Sequence, residues 1–154
     1  MLSVERVTGS VELGAVTRRL LDELPDWFGI PEANDEYVAS ATRLPGYLAK
    51  DDGDPVGVLL VDRHFPEAAE IHLIAVAPAH HRRGVGRALI DAAEADARST
   101  GARLLQVKTL GPSRPDPGYD KTRMFYLAAG FLRLEELLDL WEGNPCLVMV
   151  KPLS

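Results

Sequence analysis

The 154-residue chain has one cysteine, Cys146, which excludes an intramolecular disulfide and gives no sign of a secreted, bridge-stapled framework. No apolar run approaches the roughly 18 residues of a membrane-spanning helix. Residues Met1 to Gly9 carry charges where a secretion signal would be apolar. Basic charge is scarce too: 17 Lys and Arg stand against 23 Asp and Glu, a formal net charge of −6. Neutralising nucleic-acid phosphates takes a cationic surplus, so a general nucleic-acid binder is excluded. No repeat, low-complexity tract or Gly/Ser linker interrupts the chain, and 1–154 is expected as a single domain. Such a length buries roughly two thirds of its unfolded surface, enough for a core without staples. A cytoplasmic protein with no nucleic-acid or membrane partner is the expectation.

What is present alternates between strand and helix signals. Leu2 to Val7 reads as a strand, followed by Thr8-Gly9-Ser10, turn residues that offer a helix N-cap. Leu13, Val16, Leu20 and Leu24 then recur at steps of three and four, one face of a helix that Pro25 ends. Asp26 to Pro31 reads as a loop carrying exposed aromatics, and Glu32 to Arg43 as a short helix. Tyr47 to Lys50 and Pro55 to Asp62 form a hairpin around the turn signal Asp51-Asp52-Gly53-Asp54. Glu70 to Val76 is another strand, halted by Pro78. Gly84 to Ser99 is an amphipathic helix whose small-residue face suits close packing on a sheet, closed by Gly101. Arg103 to Thr109 is a strand, Leu110 to Tyr119 a loop, and Asp120 to Ala129 a helix ending at Gly130. Phe131 to Asp139 and Cys146 to Lys151 are the last strands. The order β-α-α-β-β-β-α-β-α-β-β predicts an α/β protein of the α+β type, with a mixed sheet and no doubly wound topology.

The strongest chemistry lies in Val76-Ala77-Pro78-Ala79-His80-His81-Arg82-Arg83-Gly84-Val85-Gly86-Arg87. A strand stops, a basic turn follows, and a helix opens at two glycines. Helix N-termini present unpaired N–H groups and a partial positive charge, and so take phosphate. Arg82, Arg83 and Arg87 add charge, making a pyrophosphate cradle in an acidic chain. The dinucleotide fingerprint fails because Leu89 stands where its third glycine belongs, and no Gly-Lys-Ser/Thr makes a P-loop.

Here the sequence resembles the GNAT superfamily of N-acetyltransferases. His81-Arg82-Arg83-Gly84-Val85-Gly86 matches the acyl-CoA signature Gln/Arg-x-x-Gly-x-Gly/Ala, departing from it only at His81. Phe125-Tyr126-Leu127-Ala128-Ala129-Gly130-Phe131 matches a second signature, an aromatic-Tyr pair before Gly-Phe. The element order agrees from Leu2 to Lys151. The resemblance implies a GNAT fold, a mixed and mostly antiparallel central sheet flanked by helices. It implies acetyl-CoA as the acyl donor, with its pyrophosphate over the amides of Arg82, Arg83, Gly84, Val85, Gly86 and Arg87, and with His81 as a further donor-binding residue. The pantetheine arm would lie along the preceding strand, with backbone contacts at Ile74 and Val76.

Acyl transfer to an amine poses two proton problems. An ammonium of pKa about 10.4 must lose a proton, and a thiolate leaves more easily once protonated. The resemblance implies Tyr126 as the acid at the thioester sulfur. Ala69 to Val76 resembles the strand of the histone acetyltransferase branch, which implies Glu70 as the base. Alternation places Glu70, His72, Ile74 and Val76 on one strand face, and half-burial is expected to raise the Glu70 pKa into the useful range. His72 shares the face and is the competing base, and a water chain is a third route.

Trp27, Phe28 and Tyr119 are the candidate acceptor-binding residues. With Tyr37 and nearby acidic side chains, Trp27 and Phe28 suit a cationic amine. His64, His72, His80 and His81 follow no metal-ligand spacing, so no metal is expected. Cys146 reads as a small core residue. The acceptor, a small-molecule amine or a protein amine, is left open, as is a homodimer built through the terminal strands. Two rivals stand beside the enzyme: a CoA-binding sensor with the same fold and no turnover, and a nucleotide- or phosphate-ligand module using the same cradle.

Overall fold

The computed structural model describes residues 1–153. Its elements run β1 (Leu2–Val7), α1 (Val11–Asp22), α2 (Pro31–Ala41), β2 (Gly46–Asp51), β3 (Asp54–Phe65), β4 (Ala68–Val76), a short 3-10 turn (Pro78–His80), α3 (Val85–Ser99), β5 (Leu104–Leu110), α4 (Pro117–Ala128), β6 (Leu132–Trp141) and β7 (Asn144–Pro152). The strands form a seven-stranded sheet in the order β1-β2-β3-β4-β5-β7-β6. The β1/β2, β2/β3, β5/β7 and β6/β7 pairs are antiparallel, whereas β4 and β5 are parallel. This is the mixed sheet flanked by helices that the element order predicts. The described chain groups into two compact units.

The first unit comprises Met1–Asp62 with His72–Asp96. Ser10 caps α1, its side chain accepting from the Leu13 N–H at 3.0 Å, which satisfies one of the orphan amides of the first turn. Helix α1 stops at Asp22, short of Pro25, and Leu24 is buried beyond it. The hairpin turn between β2 and β3 is carried by Asp52 and Gly53, at φ 50° and 86°, between the paired Asp51 and Asp54. Two positive φ values in a two-residue loop match the right-handed twist of the strands. Helix α3 packs hard on β3 at Gly57, where a Cβ would meet Leu89 Cδ1 and Val85 Cγ1 at 3.1 Å. Val58, Leu59, Leu60, Leu89 and Ile90 are wholly buried.

The second unit comprises Arg63–Ile71 and the chain from Ala97 onward. Its β5 lies between the start of β4 and β7, with Glu70 beside Gln106 and Val107 beside Met149. Leu105, Val107, Phe131 and Met149 are buried. Helix α4 starts at Pro117, three residues before the sequence expectation. The Asp116 side chain caps it by accepting from the Tyr119 N–H, and Pro117 sits where a missing N–H costs nothing. On the helix's buried side Arg123, 8% exposed, donates from Nη1 to the Leu110 carbonyl at 2.5 Å and pairs through Nη2 with Asp120. The edge strand β6 leaves Leu132, Leu134, Leu138 and Leu140 exposed.

Candidate active site

In the first unit, the turn from β4 to α3 is built from the residues that the phosphate-cradle reading names. Arg82 and Gly84 both adopt positive φ, 62° and 80°. A Cβ at Gly84 would meet nothing within 4 Å, so glycine is needed there for its backbone angle and not for lack of space. Gly84 gives its carbonyl to the Ala88 N–H at 3.0 Å and so opens α3, whose first-turn amides have no partner within the helix. Arg82 and Arg83 are exposed. Arg87 does not stand free above the turn, because its Nε reaches Asp91 at 3.1 Å. Val85 is buried and Gly86 half-buried. A cleft of about 240 Å³ opens beside the turn, lined by Met1, Leu2, Asp51, His80, Arg83 and Val85. His80 Nε2 lies 3.2 Å from Asp51 Oδ2. That bond and the N-terminal ammonium hold the Asp51 carboxyl below its ordinary value.

His81 turns inward. Its Nε2 donates to the Val76 carbonyl at 2.7 Å, and the Trp27 ring meets it edge-on, centroids 5.7 Å apart. Ile74 and Val76 are half-buried on β4. Trp27 and Phe28 correct the expectation of exposed aromatics: both are half-buried. Edge-on packing removes their faces from water, Phe28 on Tyr37 at 5.9 Å and Tyr37 on His72 at 5.5 Å. His72 Nε2 lies 3.2 Å from Ser40 Oγ, so the ring is anchored to α2.

In the second unit, Tyr126 is 4% exposed, its ring tilted against Phe125 at 5.4 Å and edge-on to Phe131 at 5.6 Å. The aromatic-Tyr and Gly-Phe ends of the motif thus pack on each other around the helix terminus. Tyr119 sits half-buried in the first turn of α4. Glu70 is 6% exposed. Its Oε1 lies 2.5 Å from His64 Nε2, and its Oε2 lies 3.1 Å from Lys108 Nζ. Burial alone would raise the Glu70 pKa, as expected from sequence, but the His64 and Lys108 hydrogen bonds and charges outweigh it and hold the carboxyl below its ordinary value. The expectation of a raised pKa is therefore corrected. Lys108 was invisible as a partner because its approach depends on which strands pair. His64 stands six residues before Glu70 across the short β3-β4 turn and was missed because β3 was expected to end at Asp62. Cys146 is fully buried and burial raises its thiol pKa, as suits a core residue.

Among the described residues no group of three or more His, Cys, Asp or Glu side chains could hold a metal ion. No described helix is long and apolar enough to cross a membrane.

The chain belongs to the acetyltransferase (GNAT) family, whose model matches residues 15–116. Its fold is similar to that of a GNAT-family acetyltransferase from Desulfovibrio desulfuricans, with a TM-score of 0.83, 25% identity and all of both chains covered. The ribosomal-protein-S18-alanine N-acetyltransferase of Escherichia coli superimposes with a TM-score of 0.79 at 14% identity, covering 100% of this chain and 95% of that one. A GNAT acetyltransferase from Elizabethkingia anophelis, solved with acetyl-CoA bound, gives a TM-score of 0.74 at 19% identity, covering 99% and 98%. A search of curated proteins finds no match.

Proposed function

We propose that this chain is an acetyl-CoA-dependent N-acetyltransferase that transfers the acetyl group directly to a primary amine in a ternary complex. The observation that carries the reading is the β4-α3 turn, where Arg82 and Gly84 take positive φ ahead of the free amides of a helix N-terminus. The fit to a pyrophosphate is physical: exposed guanidinium groups, open space above Gly84 and a positive helix end. Residues 82–87 would hold the pyrophosphate, and the Ile74 and Val76 backbone the pantetheine arm. The acetyl-CoA bound in the Elizabethkingia protein supports this choice of donor.

The chemistry then falls to two groups. Tyr126 donates its hydroxyl proton to the departing thiolate, and Glu70 serves the amine that must be deprotonated before attack. Trp27, Phe28 and Tyr119 are the proposed acceptor-side residues. The acceptor class is a small-molecule or protein amine.

Thiol release from acetyl-CoA, measured with pooled primary amines beside Tyr126→Phe, tests the reading. Amine-dependent release that falls at least about tenfold in the variant supports both the enzyme class and the acid. Saturable CoA binding with no release in any pool would replace the enzyme by a CoA sensor.

A further inference from the structure

Glu70 is poorly suited to accept the amine's proton itself. Its carboxylate is buried, with Oε1 against His64 Nε2 at 2.5 Å and Lys108 Nζ at 3.4 Å and Oε2 against Lys108 Nζ at 3.1 Å. A carboxylate with cationic or N–H donors on both oxygens holds its charge and gives up little of it to a new proton.

His64 has the complementary properties. Its side chain is 42% exposed, whereas that of Glu70 is 8% exposed, so the ring bridges solvent and the buried carboxylate. An ionised carboxylate only accepts hydrogen bonds, so the ring nitrogen facing it carries the hydrogen. That pins the neutral imidazole as the Nε2–H tautomer and leaves the Nδ1 lone pair as its base. A buried carboxylate behind one ring nitrogen, with the other ring nitrogen basic, is the arrangement by which a carboxylate orients a histidine base and stabilises the imidazolium that forms. Lys108, from β5, reaches both Glu70 oxygens, Oε1 at 3.4 Å and Oε2 at 3.1 Å, and favours the ionised carboxylate.

We propose that His64 is the proton acceptor for the amine, with Glu70 as its positioning residue. The inference rests on the acetyltransferase reading and assigns the base within it. An ammonium acceptor gives one proton to His64 Nδ1, and the freed nitrogen lone pair attacks the thioester carbonyl. The C–S bond breaks as the thiolate takes the Tyr126 proton. The attacking nitrogen carries two hydrogens in the tetrahedral adduct. It sheds one of them to the Tyr126 phenolate in the same collapse and leaves an amide with a single N–H. His64 then returns its proton to solvent from its exposed edge, so one proton is released for each acetyl group moved from an ammonium.

The test measures thiol release from acetyl-CoA with spermidine, lysine, tryptamine and an alanine-terminated peptide as acceptors, for wild type, His64→Ala and Glu70→Gln. With the best acceptor, His64→Ala should lower kcat about a hundredfold at unchanged KM for acetyl-CoA. Added imidazole should restore part of the loss in that variant. Glu70→Gln should also lower kcat, without rescue by imidazole, because the native ring still fills the position. A His64→Ala kcat within about twofold of wild type overturns the assignment, as does a loss that imidazole leaves unchanged. Absence of release by wild type with every acceptor overturns the acetyltransferase reading itself, and the assignment with it.

Discussion

His81 Nε2 donates 2.7 Å to the carbonyl oxygen of Val76, tying the turn that opens α3 to the last residue of β4. His81 is the one position that departs from the family's acyl-CoA signature, and its ring holds the protein's own backbone while Trp27 packs against it edge-on. The departure therefore has a structural use: it fixes the turn against the strand it leaves.

Removing that tie should loosen the turn. His81→Ala is expected to raise the Kd for CoA about three- to tenfold, the equivalent of one net hydrogen bond. His81→Gln retains a side-chain donor and should stay within about threefold of wild type. Isothermal titration calorimetry with CoA separates the two. Equal affinities for alanine and wild type would remove His81 from the site.

Gly84 makes a different demand. Its φ of 80° with open space around a Cβ means that substitution costs backbone strain and no clash. Gly84→Ala should lower stability by about 1–2 kcal/mol, read from urea unfolding, and weaken CoA binding in parallel. Gly84→Asn, which tolerates the left-handed region better, should recover part of both losses.

The buried Arg123 guanidinium spans α4 and β5 through the Leu110 carbonyl. Arg123→Met keeps the apolar stem but leaves that carbonyl without its charged donor. A loss of roughly 1–3 kcal/mol follows, measurable as a lower urea midpoint with unchanged slope. A slope change would mean that α4 had come away from the sheet.

Glu70 links stability to acidity. Its folded pKa lies below the ordinary 4.5, so the carboxylate contributes stability that is fully present above the unfolded value and is lost as pH falls through the folded one. Wild type should therefore exceed Glu70→Gln in urea midpoint at pH 7. The difference should shrink as the pH is taken below about 4.5. An unchanged difference across that range would mean that the His64 and Lys108 contacts do not hold the charge in solution.

Much of this protein was legible in its linear order. The Leu13, Leu20 and Leu24 spacing, the Asp52-Gly53 turn and the Ser10 cap are local devices, and each acts through neighbours a few residues away. The motif at 81–86 was readable for the same reason, since a helix N-terminus and its glycine need no distant partner. The early start of α4 was also a local signal, an Asp116 cap followed by Pro117, masked by the Gly and Pro of the preceding loop.

Tertiary structure decided what depends on pairing. The half-burial of Trp27 and Phe28 rests on His81 and Tyr37, far away along the chain in the case of His81. The parallel register that sets Glu70 beside Gln106 brings Lys108 to the same carboxylate that His64 meets at Oε1 from the end of β3. The sequence by itself determined which residues can carry charge, turn the chain or cap a helix, because those are properties of each side chain and its immediate backbone. Only the folded sheet decided the charge state of Glu70, because a carboxylate's pKa is set by the donors that strand pairing delivers to it.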